Sequence, residues 1–170
     1  MNHAFSQMKR IFKKFGHREY TFDDFLKIAR RARINIETRQ LPEKVRGYYV
    51  SELRRVYRKK WIVFNDSLSA EEKLYVAFHE LAHHFLHSGY MDKTLFYCRA
   101  KRIMESAQDA EAEAVALVMI LPAAKLIELT DTPFDEIRGY SMENLIKRQR
   151  IFEKDDFGVF GKKFLPFRFS

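Results

Sequence analysis

A chain of 170 residues that is 46% hydrophobic and 32% charged is long enough for one domain with a sizeable core, and it is too short to favour two. Its single cysteine, Cys98, excludes an internal disulfide and a zinc site built from several cysteines, and it indicates a reducing compartment. The longest apolar run, 114–124, is shorter than a bilayer requires, and residues 1–20 lack the apolar stretch of a signal peptide. We therefore expect a soluble, cytoplasmic protein with no membrane partner.

The net charge is +8, and basic residues concentrate in three segments, 9–18, 27–33 and 54–60. Segments of this kind can contact nucleic acid or an acidic protein surface. Charge runs are more often solvated helix faces, so we favour that interpretation and leave direct nucleic-acid binding open.

The first part of the chain predicts one helix followed by a small sheet. Thr21 and Asp24 have the spacing of a capping box, and apolar residues follow at helical spacing, so we expect a helix over 22–33. Three stretches rich in β-branched and aromatic residues come next. They predict three short strands of one sheet, at 34–36, 47–50 and 61–65.

The middle of the chain predicts a long amphipathic helix. Ser69 and Glu72 repeat the spacing of a capping box, and an apolar stripe continues from Leu74 to Phe85. We expect this helix to cover 70–87, which contains four of the six histidines in the chain.

Two further helices are predicted toward the C-terminus. Alanines and other apolar residues share one face between 104 and 121, and Pro122 lies at the end of that helix. Ser141 opens the next helix, in which apolar residues continue in register. The segment 157–169 contains five phenylalanines without a clear period, and we expect it to pack on the core rather than to bind a partner.

The pentapeptide His79-Glu80-Leu81-Ala82-His83 lies inside the long predicted helix. Two helical residues at this spacing differ in azimuth by about 40° and in height by about 6 Å, so both imidazoles can reach one metal ion. A glutamate after the first histidine can act as general base toward metal-bound water, and the whole pattern is a signature of zinc metalloproteases. We therefore predict His79 and His83 as metal ligands and Glu80 as the catalytic residue. The alternative is a pair of ordinary helix histidines that satisfy each other or the backbone.

Catalytic zinc usually takes a third protein ligand and keeps a fourth position for water. His87 lies two helical turns from His79, about 12 Å away, so all three histidines cannot bind one ion. His84 points about 100° away from His83 and is excluded as well. We expect His87 to orient a neighbour or to cap the end of the helix.

A carboxylate from another helix is the remaining source of the third ligand. The acidic residues in or beside the helix predicted at 104–121 are Glu105, Asp109, Glu111 and Glu113. A carboxylate inside an apolar helix is costly unless it is paired or bound to metal, which favours Glu111 and Glu113. The spacing does not decide between these two.

Two segments together, 79–87 and 111–122, resemble the ImmA/IrrE-type metallopeptidases. That family carries a segment of the form Glu-Ala-(Asn/Asp/Glu)-x-(apolar)-Ala, which runs into a Leu-Met-Pro-like stop. Counting back from Pro122 places the glutamate ligand of the family on Glu111 and its variable polar position on Glu113. The first motif is common to many metalloproteases, and the two together are much more specific.

The predicted elements and the resemblance imply an α+β fold, with a small mixed sheet packed on helices and a zincin-like core that carries the motif on a helix. The resemblance implies that His79, His83 and Glu111 hold zinc, or another divalent ion such as Mn²⁺. It also implies a metallo-endopeptidase that regulates transcription by limited cleavage of a DNA-binding, helix-turn-helix repressor. Val115 departs from the family pattern, in which an aromatic residue often stands at that place.

On this basis the chain divides into a basic N-terminal segment (1–21), the metallopeptidase domain (22–153) and a Phe-rich tail packed on the core (154–170). A strand near the site is expected to align the substrate by main-chain pairing, and 61–65 is the first candidate. An oxyanion donor is expected among Tyr90, Tyr97, Arg99 and Tyr140. The alternative function is a non-catalytic regulator, in which a closed metal site is structural and the basic segments bind DNA or a partner protein.

Overall fold

The computed structural model describes residue 13 and the segments 18–54, 57–88, 93–99, 106–130, 132 and 136–154. The Phe-rich tail predicted at 157–169 lies outside the described residues, and so does most of the basic segment predicted at 1–21. The predicted domain boundaries at 21 and 154 therefore stay predictions.

Five helices and four strands lie in the described residues. In chain order they are α1 (Phe22–Arg31), β1 (Asn35–Arg39), β2 (Val45–Arg54), β3 (Tyr57–Asn65), α2 (Ala70–His87), β4 (Lys93–Arg99), α3 (Ala107–Ile120), α4 (Ala123–Thr130) and α5 (Met142–Lys154). None of these helices is long and apolar enough to cross a membrane.

The four strands form one mixed sheet in the order β1-β3-β2-β4. β1 runs parallel to β3, whereas β2 is antiparallel to both of its neighbours. Helix α2 packs on β2, β3 and β4, and it covers the face of the sheet that carries Tyr49 and Phe96. A mixed sheet with helices packed on it confirms the predicted α+β class.

Helix starts follow the capping signals in the sequence. Thr21 and Asp24 form a complete capping box at the start of α1, and Ser69 and Glu72 form another at the start of α2. In each box the side chains satisfy backbone N–H groups that the first turn leaves without a helical partner. Helix α2 therefore spans the predicted range, 70–87, in full.

Helix α1 ends at Arg31, two residues before the end of the helix predicted over 22–33. Arg33 adopts a left-handed backbone conformation with φ of 55°, and the N–H of Ile34 bonds back to the carbonyl of Ala29 at 2.9 Å. Such a turn closes a helix by satisfying one of its last carbonyls. The sequence gives no signal for this turn, because glycine, not arginine, is the usual residue in a left-handed conformation.

The sequence does not predict β4 or α4, and it predicts β1, β2 and β3 shorter than they are. The predicted strands at 47–50 and 61–65 are the better buried parts of β2 and β3, which continue into more exposed ends that pair with each other. The helix predicted at 104–121 appears as α3, which begins after its N-cap Ser106, while residue 104 lies outside the described residues. Ser141 precedes α5, and its Oγ accepts a hydrogen bond from the N–H of Asn144.

Helix α2 lies between the sheet and α3. On the sheet side, the rings of Phe25, Phe64 and Phe78 pack edge to face, with centroids 5.9 and 6.0 Å apart. On the other side, Ala112 and Ala116 of α3 are fully buried, and their small side chains allow a close helix–helix contact. The centre of α2 is therefore in the interior of the protein.

Gly47 allows β2 to approach α2 closely. A Cβ at this position would lie 2.7 Å from Cγ1 of Val76 and 2.8 Å from the carbonyl oxygen of Val63, both shorter than a van der Waals contact. We expect Gly47→Ala to lower the free energy of unfolding by about 1–3 kcal/mol through overpacking, as measured by urea denaturation. The control is Leu53→Ala in the same strand, because Leu53 is 41% exposed. A Gly47→Ala protein as stable as the wild type would contradict the close contact.

Candidate metal centre

His79 and His83 lie one turn apart on α2, and both are fully buried. Their Nε2 atoms are 3.2 Å apart. Two nitrogen ligands of a tetrahedral zinc ion, each about 2.0–2.1 Å from the metal, are separated by about 3.3 Å. The two imidazoles are thus spaced as ligands of one zinc ion would be.

Aromatic rings hold both imidazoles in place. Phe96 of β4 stacks flat on His83, with centroids 4.1 Å apart and an interplanar angle of 8°. Tyr75 of α2 lies beside His79, at 5.9 Å between centroids. Sequence reasoning missed both contacts. A run rich in β-branched and aromatic residues, from Thr94 to Tyr97, is the signal that could have revealed β4.

Asp109, in the first turn of α3, is the carboxylate that the structure brings to the imidazole pair. Its Oδ1 lies 3.4 Å from Nε2 of His83. Ligand atoms of His79, His83 and Asp109 all lie within 4.8 Å of one another, so the three residues could hold a metal ion. Ser106 fixes the other oxygen of this carboxylate, because its Oγ donates to Oδ2 of Asp109 at 2.8 Å.

The imidazole of His87 lies between Glu111 and His83. Its Oε2 is 3.2 Å from Nε2 of His87, and Nδ1 of His87 is 3.1 Å from Nδ1 of His83. Glu111 as a direct ligand stays a prediction, and Asp109 is a second candidate for the same position. His87 contacts a predicted ligand without joining the group of ligand atoms around His79.

The other carboxylate favoured by the sequence, Glu113, has different contacts. Its Oε1 accepts hydrogen bonds from the hydroxyl of Tyr75 at 2.9 Å and from Nζ of Lys147 at 2.7 Å. These bonds connect α2, α3 and α5, which suits a structural role. Glu105, the fourth acidic candidate, lies outside the described residues.

Glu80 is fully buried beside the ligand pair. Its carboxylate, a nitrogen of His79 and Sγ of Cys98 also lie within 4.8 Å of one another. This second group is buried on all three members, whereas the Asp109 side chain in the first group is 22% exposed. A catalytic metal needs one position open to solvent and substrate, so the group with Asp109 is the better catalytic candidate.

His84 faces the sheet, away from the pair, in agreement with its exclusion from the ligand set. Its Nδ1 lies 2.9 Å from the hydroxyl of Tyr49 and 3.0 Å from Oγ of Ser88. Burial, together with the positive charge of Lys60, lowers the pKa of His84 to about 4. His84 is therefore a neutral, hydrogen-bonded residue of the core near neutral pH.

The described candidates for an oxyanion donor do not face the imidazole pair. Tyr97 is 42% exposed and packs on Tyr48, on the face of the sheet opposite to Phe96. The hydroxyl of Tyr140 donates to the carboxylate of Glu19. Tyr90 and the side chain of Arg99 lie outside the described part of the chain.

The chain was compared with protein families, curated proteins and solved structures. Residues 29–148 match the family model described as IrrE N-terminal-like domain, Peptidase_M78. The searches of curated proteins and of solved structures found no significant match. The matched segment covers more than half of the chain and contains the motif on α2 together with both candidate carboxylates of α3. The chain therefore belongs to the IrrE N-terminal-like family, Peptidase_M78, a family of zincin-like metallopeptidases.

Proposed function

We propose that this protein is a zinc-dependent endopeptidase that makes limited cuts in a protein substrate. The observation that carries the proposal is the buried pair of His79 and His83, whose Nε2 atoms lie 3.2 Å apart beside the carboxylate of Asp109. Membership of a metallopeptidase family supports peptide hydrolysis as the reaction.

The metal is held by His79, His83 and one carboxylate from the start of α3. We assign the third position to Glu111 on the family resemblance, and Asp109 competes for it because of its shorter distance to His83. Two nitrogen donors and one oxygen donor suit zinc, and three protein ligands would leave room for a solvent molecule. When bound, zinc lowers the pKa of a water molecule toward neutrality and polarises a peptide carbonyl.

Glu80 performs the proton transfers. Its carboxylate accepts a proton from the attacking water and then delivers it to the amide nitrogen of the departing chain. The residue follows His79 directly and is fully buried, so bulk water does not compete for the carboxylate. Phe96 and Tyr75 exclude water from the faces of the two imidazoles.

The strand order favours an edge strand as the one that would align the substrate. The expectation that 61–65 pairs with the substrate is wrong, because β3 pairs with β1 on one side and β2 on the other. Among the described strands, β4 pairs with β2 alone, and its Phe96 lies directly on His83. An extended substrate peptide therefore pairs with the outer edge of β4, where main-chain hydrogen bonds bring it beside the metal.

The substrate we propose is a DNA-binding repressor with a helix-turn-helix domain, which makes the protein a cytoplasmic regulator of transcription. The support for this choice is the family resemblance carried by 79–87 and 111–122. Limited cleavage at an extended linker of the repressor is consistent with recognition at a strand edge.

Replacement of the proposed base separates catalysis from metal binding. We expect Glu80→Gln to keep zinc and to lower kcat/KM by about 10²- to 10⁴-fold, the usual contribution of general acid–base catalysis. Cleavage is measured on any helix-turn-helix protein that a neighbouring gene encodes and on a pool of soluble proteins, with new N-termini mapped by mass spectrometry. Glu71→Gln is the matched control, because it makes the same change at an exposed position of α2.

Two outcomes would argue against the proposal. Full cleavage by Glu80→Gln would remove Glu80 from its role. No cleavage by the wild type, with a zinc site that holds four protein ligands and salt-sensitive binding to DNA, would favour the alternative of a non-catalytic regulator.

The two carboxylates of α3 are distinguished by zinc affinity, measured by competition with a chelator. We expect Glu111→Gln to weaken zinc binding by more than about 100-fold, beyond the loss typical of residues that only support a ligand. Asp109→Asn should have a smaller effect, and Glu113→Gln serves as the control on the same helix. A larger loss of zinc affinity in Asp109→Asn than in Glu111→Gln would assign the third position to Asp109. Equal zinc affinity in all variants would exclude a ligand from α3.

A further inference from the structure

A line of polar contacts runs from the motif to α3 through His87. Nδ1 of His83 lies 3.1 Å from Nδ1 of His87, and Nε2 of His87 lies 3.2 Å from Oε2 of Glu111. The side chain of His87 is 6% exposed, and that of Glu111 is 18% exposed. The line therefore lies mostly in the interior, where hydrogen bonds are costly to leave unmade.

A carboxylate lies at each end of this line, Glu111 beside His87 at 3.2 Å and Asp109 beside His83 at 3.4 Å, and we assign the protons from the shorter contact. An ionised carboxylate can only accept, so His87 must donate to Glu111 through Nε2–H. A neutral imidazole that donates through one nitrogen accepts through the other, so Nδ1 of His87 accepts from Nδ1–H of His83. Nε2 of His83 then carries a lone pair, at 3.2 Å from Nε2 of His79 and 3.4 Å from Oδ1 of Asp109.

We propose that His87 is a positioning residue, which holds His83 in the tautomer and orientation that a metal ligand requires. The proposal rests on the proposed metallopeptidase function. A ligand histidine commonly donates its second N–H to a carboxylate or carbonyl, and this bond fixes the tautomer and raises the basicity of the ligand. Here a second imidazole stands between the ligand and the carboxylate.

The spacing that keeps His87 out of the ligand set suits it for this task. His87 is one turn from His83, within reach of its Nδ1, and two turns from His79. Phe96 contacts both rings, at centroid distances of 4.1 Å for His83 and 5.5 Å for His87. His83 is therefore held on one face by stacking and on one edge by a hydrogen bond.

The same contact orients Glu111. One oxygen of its carboxylate accepts from His87, and this bond limits the rotation of the side chain that we assign as the third ligand. His87 thereby links two ligands that come from different helices. Ligating carboxylates are in general hydrogen-bonded in this way.

Zinc affinity of His87 variants tests the proposal. We expect His87→Ala to raise the Kd for zinc by about 10- to 100-fold, the usual cost of losing a residue that supports a ligand. His87→Asn keeps an acceptor near the place of Nδ1, and His87→Gln keeps a donor near the place of Nε2, so each should recover part of the loss. His84→Asn is the matched control, because it removes the neighbouring imidazole, which faces the sheet, and should leave the zinc Kd unchanged.

Nuclear magnetic resonance of the metal-free wild type gives a second measurement that needs no variant. At a pH where imidazoles are neutral, ¹⁵N shifts should show His83 protonated at Nδ1 and His87 protonated at Nε2. This measurement decides the question even if the His87 variants fail to fold. His83 protonated at Nε2 would overturn the proposal.

The outcomes separate this proposal from the proposed function. A wild type that binds zinc, together with a folded His87→Ala protein of unchanged zinc Kd, overturns the positioning role alone. A wild type that does not bind zinc overturns the proposed function, and the positioning role falls with it.

Discussion

The contact on which the site depends is that between two imidazoles held 3.2 Å apart in the interior of the protein. Buried polar rings are costly unless hydrogen bonds or a metal satisfy them. His83 meets this demand at Nδ1, which contacts His87, while Phe96 covers one of its faces and Nε2 faces His79. The ring is thus oriented by its surroundings before any ion binds, so the cost of ordering it is already met in folding. A site built in this way binds metal with little reorganisation.

The position of α2 depends on small residues in the two surfaces that pack against it. Gly47 on β2 leaves room for Val76, and Ala112 and Ala116 on α3 leave room on the opposite side. Because α2 lies between these surfaces, a larger residue on either of them would shift the whole helix. His79 and His83 would move with it, since they lie one and two turns beyond Val76. Packing at these small residues therefore controls the distance from the imidazole pair to the carboxylates of α3.

The local parts of the structure could be predicted from the sequence, and the parts that depend on distant contacts could not. The capping box of Ser69 and Glu72 gave the start of α2, and helical periodicity placed His79 and His83 on one face, because both signals lie within one helix. The inward face of β4 could not be predicted, since Leu95 and Tyr97 are hydrophobic like Phe96 and only pairing with β2 shows which face is buried. The stacking of Phe96 on His83 was missed for the same reason.

The choice of a third candidate ligand shows the same limit at the level of single residues. Periodicity defines the faces of α3, but it does not define how α3 is rotated against α2, and that rotation decides which acid approaches His83. Burial in an apolar helix favoured Glu113 equally with Glu111, yet Glu113 bonds Tyr75 and Lys147. The cost of a carboxylate inside an apolar helix ranks Asp109 below both, whereas the structure has Asp109 at the start of α3. In the structure that helix start is directed at the imidazoles.

Asp109 and Glu111 would couple a bound ion to different parts of the fold. Asp109 bonds Ser106 at the N-terminus of α3, where the helix dipole already favours a negative charge, so its carboxylate is held by the start of one helix. Glu111 bonds His87, which in turn contacts His83, so its carboxylate is held by the same helix that supplies both imidazoles. Ligation by Glu111 would close a ring of contacts through the ion, the two helices and His87. Each contact in such a ring would restrict the others, and for this reason Glu111 would be the more preorganised third ligand even though Asp109 lies closer to His83.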